Sequence, residues 1–283
     1  MTGAWARATA CALIILAGGA RAHERVVFPS LDPPSGPPVM LVGHWFAAAP
    51  AADGAPAGAI ALFHGCSGAY DRQGALDRRM RDYTAWLHER GWHVLIVDSF
   101  GPRSEKEICT QRTGHRRITM THRRRDALAT LDWLAQRPDV NARRIGLLGW
   151  SNGGSTVLAA TNVRHPDVAA SIARPAFAVA FYPGCEAELA RGYEPDAPLL
   201  LLIGEADDWT PAAPCHRLAD AGGPDVELEA YPHAHHGFDT TAPVRVRRDV
   251  PNGARPGQGV HVGGDADALA RSRQRLEAFL ARY

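Results

Sequence analysis

Short apolar runs alternate along this chain with stretches of helical period. Ala59-Ile60-Ala61-Leu62-Phe63 is apolar throughout and ends at His64-Gly65. A continuous run of this length, bounded by turn residues, predicts a strand buried on both faces. Leu76, Met80, Tyr83 and Leu87 then recur at helical spacing, with Gly91 at the expected C-terminal stop. His93 to Val97 is the next apolar strand and closes at Asp98. Ala127, Leu128, Leu131 and Leu134 mark a helix that ends before Pro138. Ile145-Gly146-Leu147-Leu148 predicts a buried strand, although a glycine weakens a strand interior. Further strands are predicted at Ala178–Tyr182, Leu199–Ile203 and Val226–Tyr231, with a closing helix carried by Leu269, Leu276, Phe279 and Leu280. Val39 to Phe46 predicts an early strand between two loops, 29–38 and 47–57, rich in Pro, Ala and Gly. Residues 99–116 and 240–264 read as long loops. Strands alternating with helices imply an α/β protein whose central sheet is mostly parallel, with helices on both faces.

The first residues have a different pattern. One basic residue, Arg7, precedes the apolar stretch Ala8–Ala20, and Ala20-Arg21-Ala22 fits a small-x-small cleavage site. Residues 1–22 therefore read as a signal peptide, with 23–283 as one mature domain. The apolar stretch is shorter than the ~20 residues a spanning helix needs. The expectation is an exported protein, periplasmic or secreted, with no membrane association once the signal is removed.

Export changes the meaning of the cysteines. Cys11 leaves with the signal, and Cys66, Cys109, Cys185 and Cys215 remain. An even set in an oxidising compartment predicts disulfides, and Cys185–Cys215 with Cys66–Cys109 pairs loops expected at the same end of the sheet. Lys and Arg number 31 against 30 Asp and Glu, so overall charge gives no reason to expect nucleic acid as a partner. The densest basic run, His122-Arg123-Arg124-Arg125, reads as a solvated helix face.

The candidate chemistry lies where strands end. Gly149-Trp150-Ser151-Asn152-Gly153 follows a predicted strand and opens a predicted helix, from about Asn152 to Thr161. Such a turn holds a serine hydroxyl exposed on a tight bend. A serine needs a base and an orienting acid, which on this architecture follow later in the chain. Asp207 and Asp208 come just after the strand 199–203, and His233, His235 and His236 just after the strand 226–231. The pattern alone leaves open which carboxylate and which imidazole serve. His233, His235 and His236 also raise a metal site, since H-x-H spacing can chelate, with Asp239 as the only carboxylate at matching local spacing. Two backbone donors for an oxyanion are expected from Asn152, directly after the serine, and from Cys66 in the turn after the strand 59–63.

Taken together, these segments resemble the dienelactone hydrolase family. The residues that carry the resemblance are His64-Gly65-Cys66, Asp98-Ser99-Phe100-Gly101-Pro102-Arg103, Asp126-Ala127 with Trp133-Leu134, Gly149-Trp150-Ser151-Asn152-Gly153-Gly154, Gly204-Glu205-Ala206-Asp207 with Pro211, and His236-Gly237-Phe238. The resemblance implies the α/β-hydrolase fold and selects Asp207 as acid and His236 as base. Founding members of the family use a cysteine nucleophile and a glutamate in the first oxyanion loop, whereas this chain has Ser151 and no glutamate there. The expected activity is therefore that of a serine carboxylesterase, extending to lactones, that acts on a small-molecule ester without metal or organic cofactor. Trp150, Trp209, Phe100 and Arg103 lie beside these motif loops and are candidate substrate contacts. Other readings are a peptidase or acyltransferase on the same triad, or a non-catalytic binding protein of the same fold. Oligomeric state has no signature in the sequence.

Overall fold

The computed structural model describes residues 23–32, 37–50 and 53–283, and the predicted signal peptide lies outside them. Ten strands and seven α-helices are present among the described residues. The strands are β1 (Glu24–Pro29), β2 (Met40–Phe46), β3 (Ala57–Phe63), β4 (His93–Asp98), β5 (Val140–Trp150), β6 (Phe177–Phe181), β7 (Leu199–Gly204), β8 (Val226–Tyr231), β9 (Arg245–Arg247) and β10 (Val260–Val262). The helices are α1 (Arg78–His88), α2 (Met120–Ala135), α3 (Asn152–Thr161), α4 (Pro166–Ala169), α5 (Glu186–Arg191), α6 (Ala212–Gly222) and α7 (Ala266–Leu280).

Eight strands form the central sheet in the order β1-β2-β4-β3-β5-β6-β7-β8. The β1–β2 and β2–β4 pairs are antiparallel, and every pair from β4 to β8 is parallel. The chain crosses from β4 on one side of β3 to β5 on the other. The carboxyl ends of β3 and β5 thus flank a point where strand order reverses, which is where open α/β sheets form their clefts.

The apolar runs become strands because the sheet is covered on both sides. Every residue of β4, β6 and β7 is buried. Gly146 is tolerated inside β5 because the ring of Phe177 fills its side-chain space; an added Cβ would lie 2.2 Å from that ring. Helix α1 begins at Arg78, after Leu76, with Asp77 as N-cap accepting the Arg79 N–H at 2.9 Å. Met80, Tyr83 and Leu87 form its buried face.

One strand was not anticipated, and two expectations need correction. Residues 24–29 carry no strong pattern, yet they form β1, an edge strand on β2. The loop 240–264 contains a two-stranded antiparallel hairpin, β9–β10, too short to leave a periodic signal. The basic run at the start of α2 is not a solvated face: Arg123 is fully buried and Arg124 is 8% exposed. Two disulfides, Cys66–Cys109 and Cys185–Cys215, are formed. Among the described residues no helix is long and apolar enough to cross a membrane.

Candidate active site

Ser151 joins β5 to α3 with φ 55° and ψ −118°. A non-glycine residue at positive φ is strained and persists only where its surroundings over-determine it. Here the surroundings are backbone. The Ser151 N–H donates to the Phe181 carbonyl at 2.9 Å. An added Cβ at Gly149 would lie 2.2 Å from the Gly153 carbonyl oxygen, and one at Gly153 would lie 1.9 Å from the Phe63 oxygen. The two glycines of the pentapeptide are therefore required by packing between the turn, α3 and the end of β3.

The loops after β7 and β8 bring two further groups to this turn. The Ser151 hydroxyl lies 2.9 Å from His236 Nε2, and His236 Nδ1 lies 2.8 Å from Asp207 Oδ2. The carboxylate accepts from Nδ1–H, so Nε2 carries the lone pair that faces the serine. Asp207 Oδ1 accepts from the N–H groups of Trp209 and Thr210, both at 2.8 Å, and Oδ2, which faces His236, also accepts the Thr210 hydroxyl at 2.9 Å. The imidazole is wedged between Tyr182 and Trp209, each with its ring centroid 4.7 Å away. Both Asp207 and His236 are buried.

The neighbouring candidates have other partners. Asp208 binds His261 of β10, at 2.7 Å to Nδ1. His235 Nδ1 donates to the Ala206 carbonyl at 2.8 Å and its ring stacks on His261, while His233 is exposed. Among the described residues no group of three or more His, Cys, Asp and Glu is placed to hold a metal ion.

The turn after β3 lies against Ser151. A Cβ built on Gly65 would be 3.6 Å from the Ser151 Cβ, so the Gly65–Cys66 peptide borders the hydroxyl. The first turn of α3 follows Ser151 directly, and its leading N–H groups, Asn152 among them, have no carbonyl four residues back to bond within the helix. The Cys66–Cys109 disulfide and the bond from Ile108 N–H to the Cys66 carbonyl, 2.8 Å, tie this turn to the 99–116 loop.

A cavity of about 420 Å³ opens on Ser151 and His236, and Gly65, Cys66, Trp209 and Arg79 are among its walls. Of the four candidate substrate contacts, Trp150 and Trp209 line it. Trp150 is nevertheless 1% exposed, with its indole N–H donated to Asp239 at 2.9 Å. Phe100 and Arg103 are corrected. Phe100 is buried edge-on against His64, and Arg103 is locked between Asp126 at 2.8 Å and Asp32 at 2.6 Å. Neither borders the cavity.

One residue beside the site, Thr210, is not anticipated from the sequence, and Asp239 is read there only beside the histidine cluster. Thr210 bridges Asp207 and His236, reaching Nδ1 at 3.1 Å. Asp239 is a wholly buried carboxylate beneath the cavity, bonded to Trp150, Tyr182 and Arg79. Its place three residues after His236 is its only signal in the sequence.

A model of the dienelactone hydrolase family matches residues 46–283. The chain belongs to that family. Solved structures share its fold. One is a thermophilic esterase from the planctomycete Thermogutta terrifontis, 18% identical, with a TM-score of 0.63 over 93% of this chain and 94% of that one. Another is a dienelactone hydrolase-like promiscuous phosphotriesterase from metagenomic libraries, also 18% identical, with a TM-score of 0.64 over 92% of this chain and 98% of that one. No curated protein matches the chain. Family membership makes the protein a hydrolase on an α/β-hydrolase fold.

Proposed function

We propose that this hydrolase is an exported serine carboxylesterase whose mature domain is 23–283, with Ser151 as nucleophile, His236 as general base and Asp207 as the acid that orients it. The observation that carries the reading is the unbroken line of hydrogen bonds, 2.9 Å from Ser151 to His236 and 2.8 Å from His236 to Asp207. It opens onto a cavity of the size that small-molecule sites have.

His236 Nε2 takes the hydroxyl proton as Ser151 Oγ attacks the ester carbonyl. Asp207 keeps Nδ1 protonated and stabilises the imidazolium that forms. Its two oxygens also accept from the two amides and the hydroxyl of the 209–210 turn, which hold the carboxylate against His236. The N–H groups of Cys66 and Asn152 hold the oxyanion. A donor of this kind is worth about 2.7–4 kcal/mol of transition-state stabilisation. His236 then gives its proton to the leaving alcohol, and water repeats the cycle on the acyl-enzyme.

The test is covalent labelling by a fluorophosphonate together with hydrolysis of short p-nitrophenyl esters. Label on Ser151, and loss of both labelling and turnover in folded Ser151→Ala and His236→Ala, is the expected result. Turnover that survives in folded Ser151→Ala removes the assignment.

A further inference from the structure

Arg123 is the most deeply buried cation beside the site. Its guanidinium has no carboxylate within hydrogen-bond distance among the described residues. Burial pushes its pKa down to about 10, against the favourable field of Asp126 and Asp98. Isolating a charge in this way is costly unless its donors are fully used. They are used on backbone and neutral groups at the two edges of the serine turn. Nη2 donates to the His64 carbonyl at 2.7 Å, Nη1 meets His64 Nε2 at 3.1 Å, and Nε donates to Thr156 Oγ1 at 2.9 Å.

The two ends of this arrangement have the same destination. The Thr156 hydroxyl donates to the Asn152 carbonyl at 2.8 Å, which ties Arg123 to the first residue of α3. His64 is fully buried. Burial, together with the adjacent guanidinium, holds its pKa well below the ordinary value, so the ring is neutral. Arg123 Nη1 lies 3.1 Å from Nε2 and 3.3 Å from Nδ1, so the tautomer is set by the Ser99 N–H, which donates to Nε2 at 3.3 Å. This leaves the ring proton on Nδ1, donated to the Gly65 carbonyl at 2.8 Å. That carbonyl belongs to the peptide whose N–H is Cys66's. Gly65 has no side chain to restrain its own rotation, so that peptide plane is held by its hydrogen bonds, the shorter from His64 at 2.8 Å and a longer one from the Gly68 N–H at 3.3 Å.

We propose that Arg123 and His64 are positioning residues that fix the orientation of the Gly65–Cys66 peptide, so that the Cys66 N–H faces Ser151, and that Arg123 ties this turn, through Thr156, to the first turn of α3. The inference rests on the serine-esterase reading of the site. It assigns a purpose to Arg123, a wholly buried cation that the triad does not use.

The test separates the roles of shape and hydrogen bonding. His64→Asn can place an amide N–H near the position of Nδ1, whereas His64→Leu fills space without a donor. Arg123→Met removes the guanidinium at similar length. Turnover of p-nitrophenyl acetate and affinity for an alkyl trifluoromethyl ketone, which binds serine as an anionic tetrahedral adduct, are measured on variants whose circular dichroism is wild type. His64→Leu and Arg123→Met should lose about 100-fold in kcat with KM nearly unchanged, as for a lost oxyanion donor. Affinity for the ketone should fall in parallel, and His64→Asn should recover most of both losses. Should Arg123→Met fail to fold, the His64 pair decides alone. Equal kcat for His64→Asn and His64→Leu, or wild-type kcat and ketone affinity in Arg123→Met, overturns the proposal. Turnover retained by Ser151→Ala would instead reject the esterase reading beneath it, whatever the other variants do.

Discussion

Asp208 accepts the backbone N–H of His261 at 2.8 Å and its Nδ1–H at 2.7 Å, so the carboxylate beside Asp207 is committed to the β9–β10 hairpin and not to His236. Adjacent aspartates thus point into different structures. One faces the imidazole next to Ser151, and the other ties down a wall of the cavity. Asp207→Asn should lower kcat on the order of 10⁴-fold by forcing the wrong imidazole tautomer. Asp208→Asn should change kcat only a few-fold. Steady-state kinetics of both variants on one p-nitrophenyl ester check this, and the reverse ranking would mean that the acid is Asp208.

The same pair sets an acid limit on the hairpin. Burial raises the Asp208 pKa, but the bonds and charge of His261 outweigh it, and the net shift is below the ordinary value of 3.8. A lowered pKa in the folded state adds stability above the unfolded value and loses it as pH falls through the folded value. Hydrogen exchange of residues 245–262, corrected for intrinsic rates, should show constant protection from neutral pH down to the ordinary carboxylate range. Protection should drop below it. Protection unchanged well under that range would mean that the latch is elsewhere.

The central sheet was legible because its strands are buried on both faces and so must be apolar without interruption, as Leu199 to Ile203 is. Ser151, Asp207 and His236 stood out because each follows such a run by a few residues. What was hidden depends on contacts that no local pattern encodes. The strand at Glu24–Pro29 gains its identity only by pairing with Met40–Trp45. The hairpin consists of two three-residue strands that depend on Asp208 and on packing against the 99–116 loop. Arg123 resembles its neighbours Arg124 and Arg125 in sequence. Its burial is decided by Thr156 and by His64, 33 and 59 residues away along the chain. Choosing between Asp207 and Asp208 required the family pattern, because both lie at the same strand end.

The two disulfides should be separable in their effects. Cys66 and Cys109 border the cavity, and their bond clamps the turn that faces Ser151. Cys185 and Cys215 join the start of α5 to α6 away from it. Each closes a loop, 43 and 30 residues in separation, for which chain entropy estimates about 4 kcal/mol of stabilisation at most. Replacing either pair by serine should lower the denaturation midpoint. Only Cys66→Ser with Cys109→Ser should also reduce kcat at temperatures where the variant remains folded. A equal kcat loss from both pairs would mean that the cavity-side bond has no special hold on the site.

Asp239 offers the strongest coupling of stability to activity. Its Oδ1 accepts from Tyr182 OH at 2.7 Å and Arg79 Nε at 3.1 Å, and its Oδ2 from the Trp150 indole at 2.9 Å. The side chain is fully buried. Asp239→Ala leaves two neutral donors and a guanidinium without their acceptor, which typically costs about 3–5 kcal/mol where a buried charge loses its partner. Tyr182 is one of the few non-glycine residues at positive φ, 37°, and its ring packs against His236. Loss of its hydroxyl anchor should therefore loosen the imidazole as well as the fold. Asp239→Asn keeps the shape and an acceptor oxygen but removes the charge facing Arg79, so it should be the milder change in urea unfolding. Both variants should lower kcat, with Asp239→Ala the more severe, because Tyr182 keeps a partner only in the asparagine variant. A folded Asp239→Ala that hydrolyses esters at the wild-type rate would show that His236 is held by Asp207, Thr210 and Trp209 without help from Tyr182.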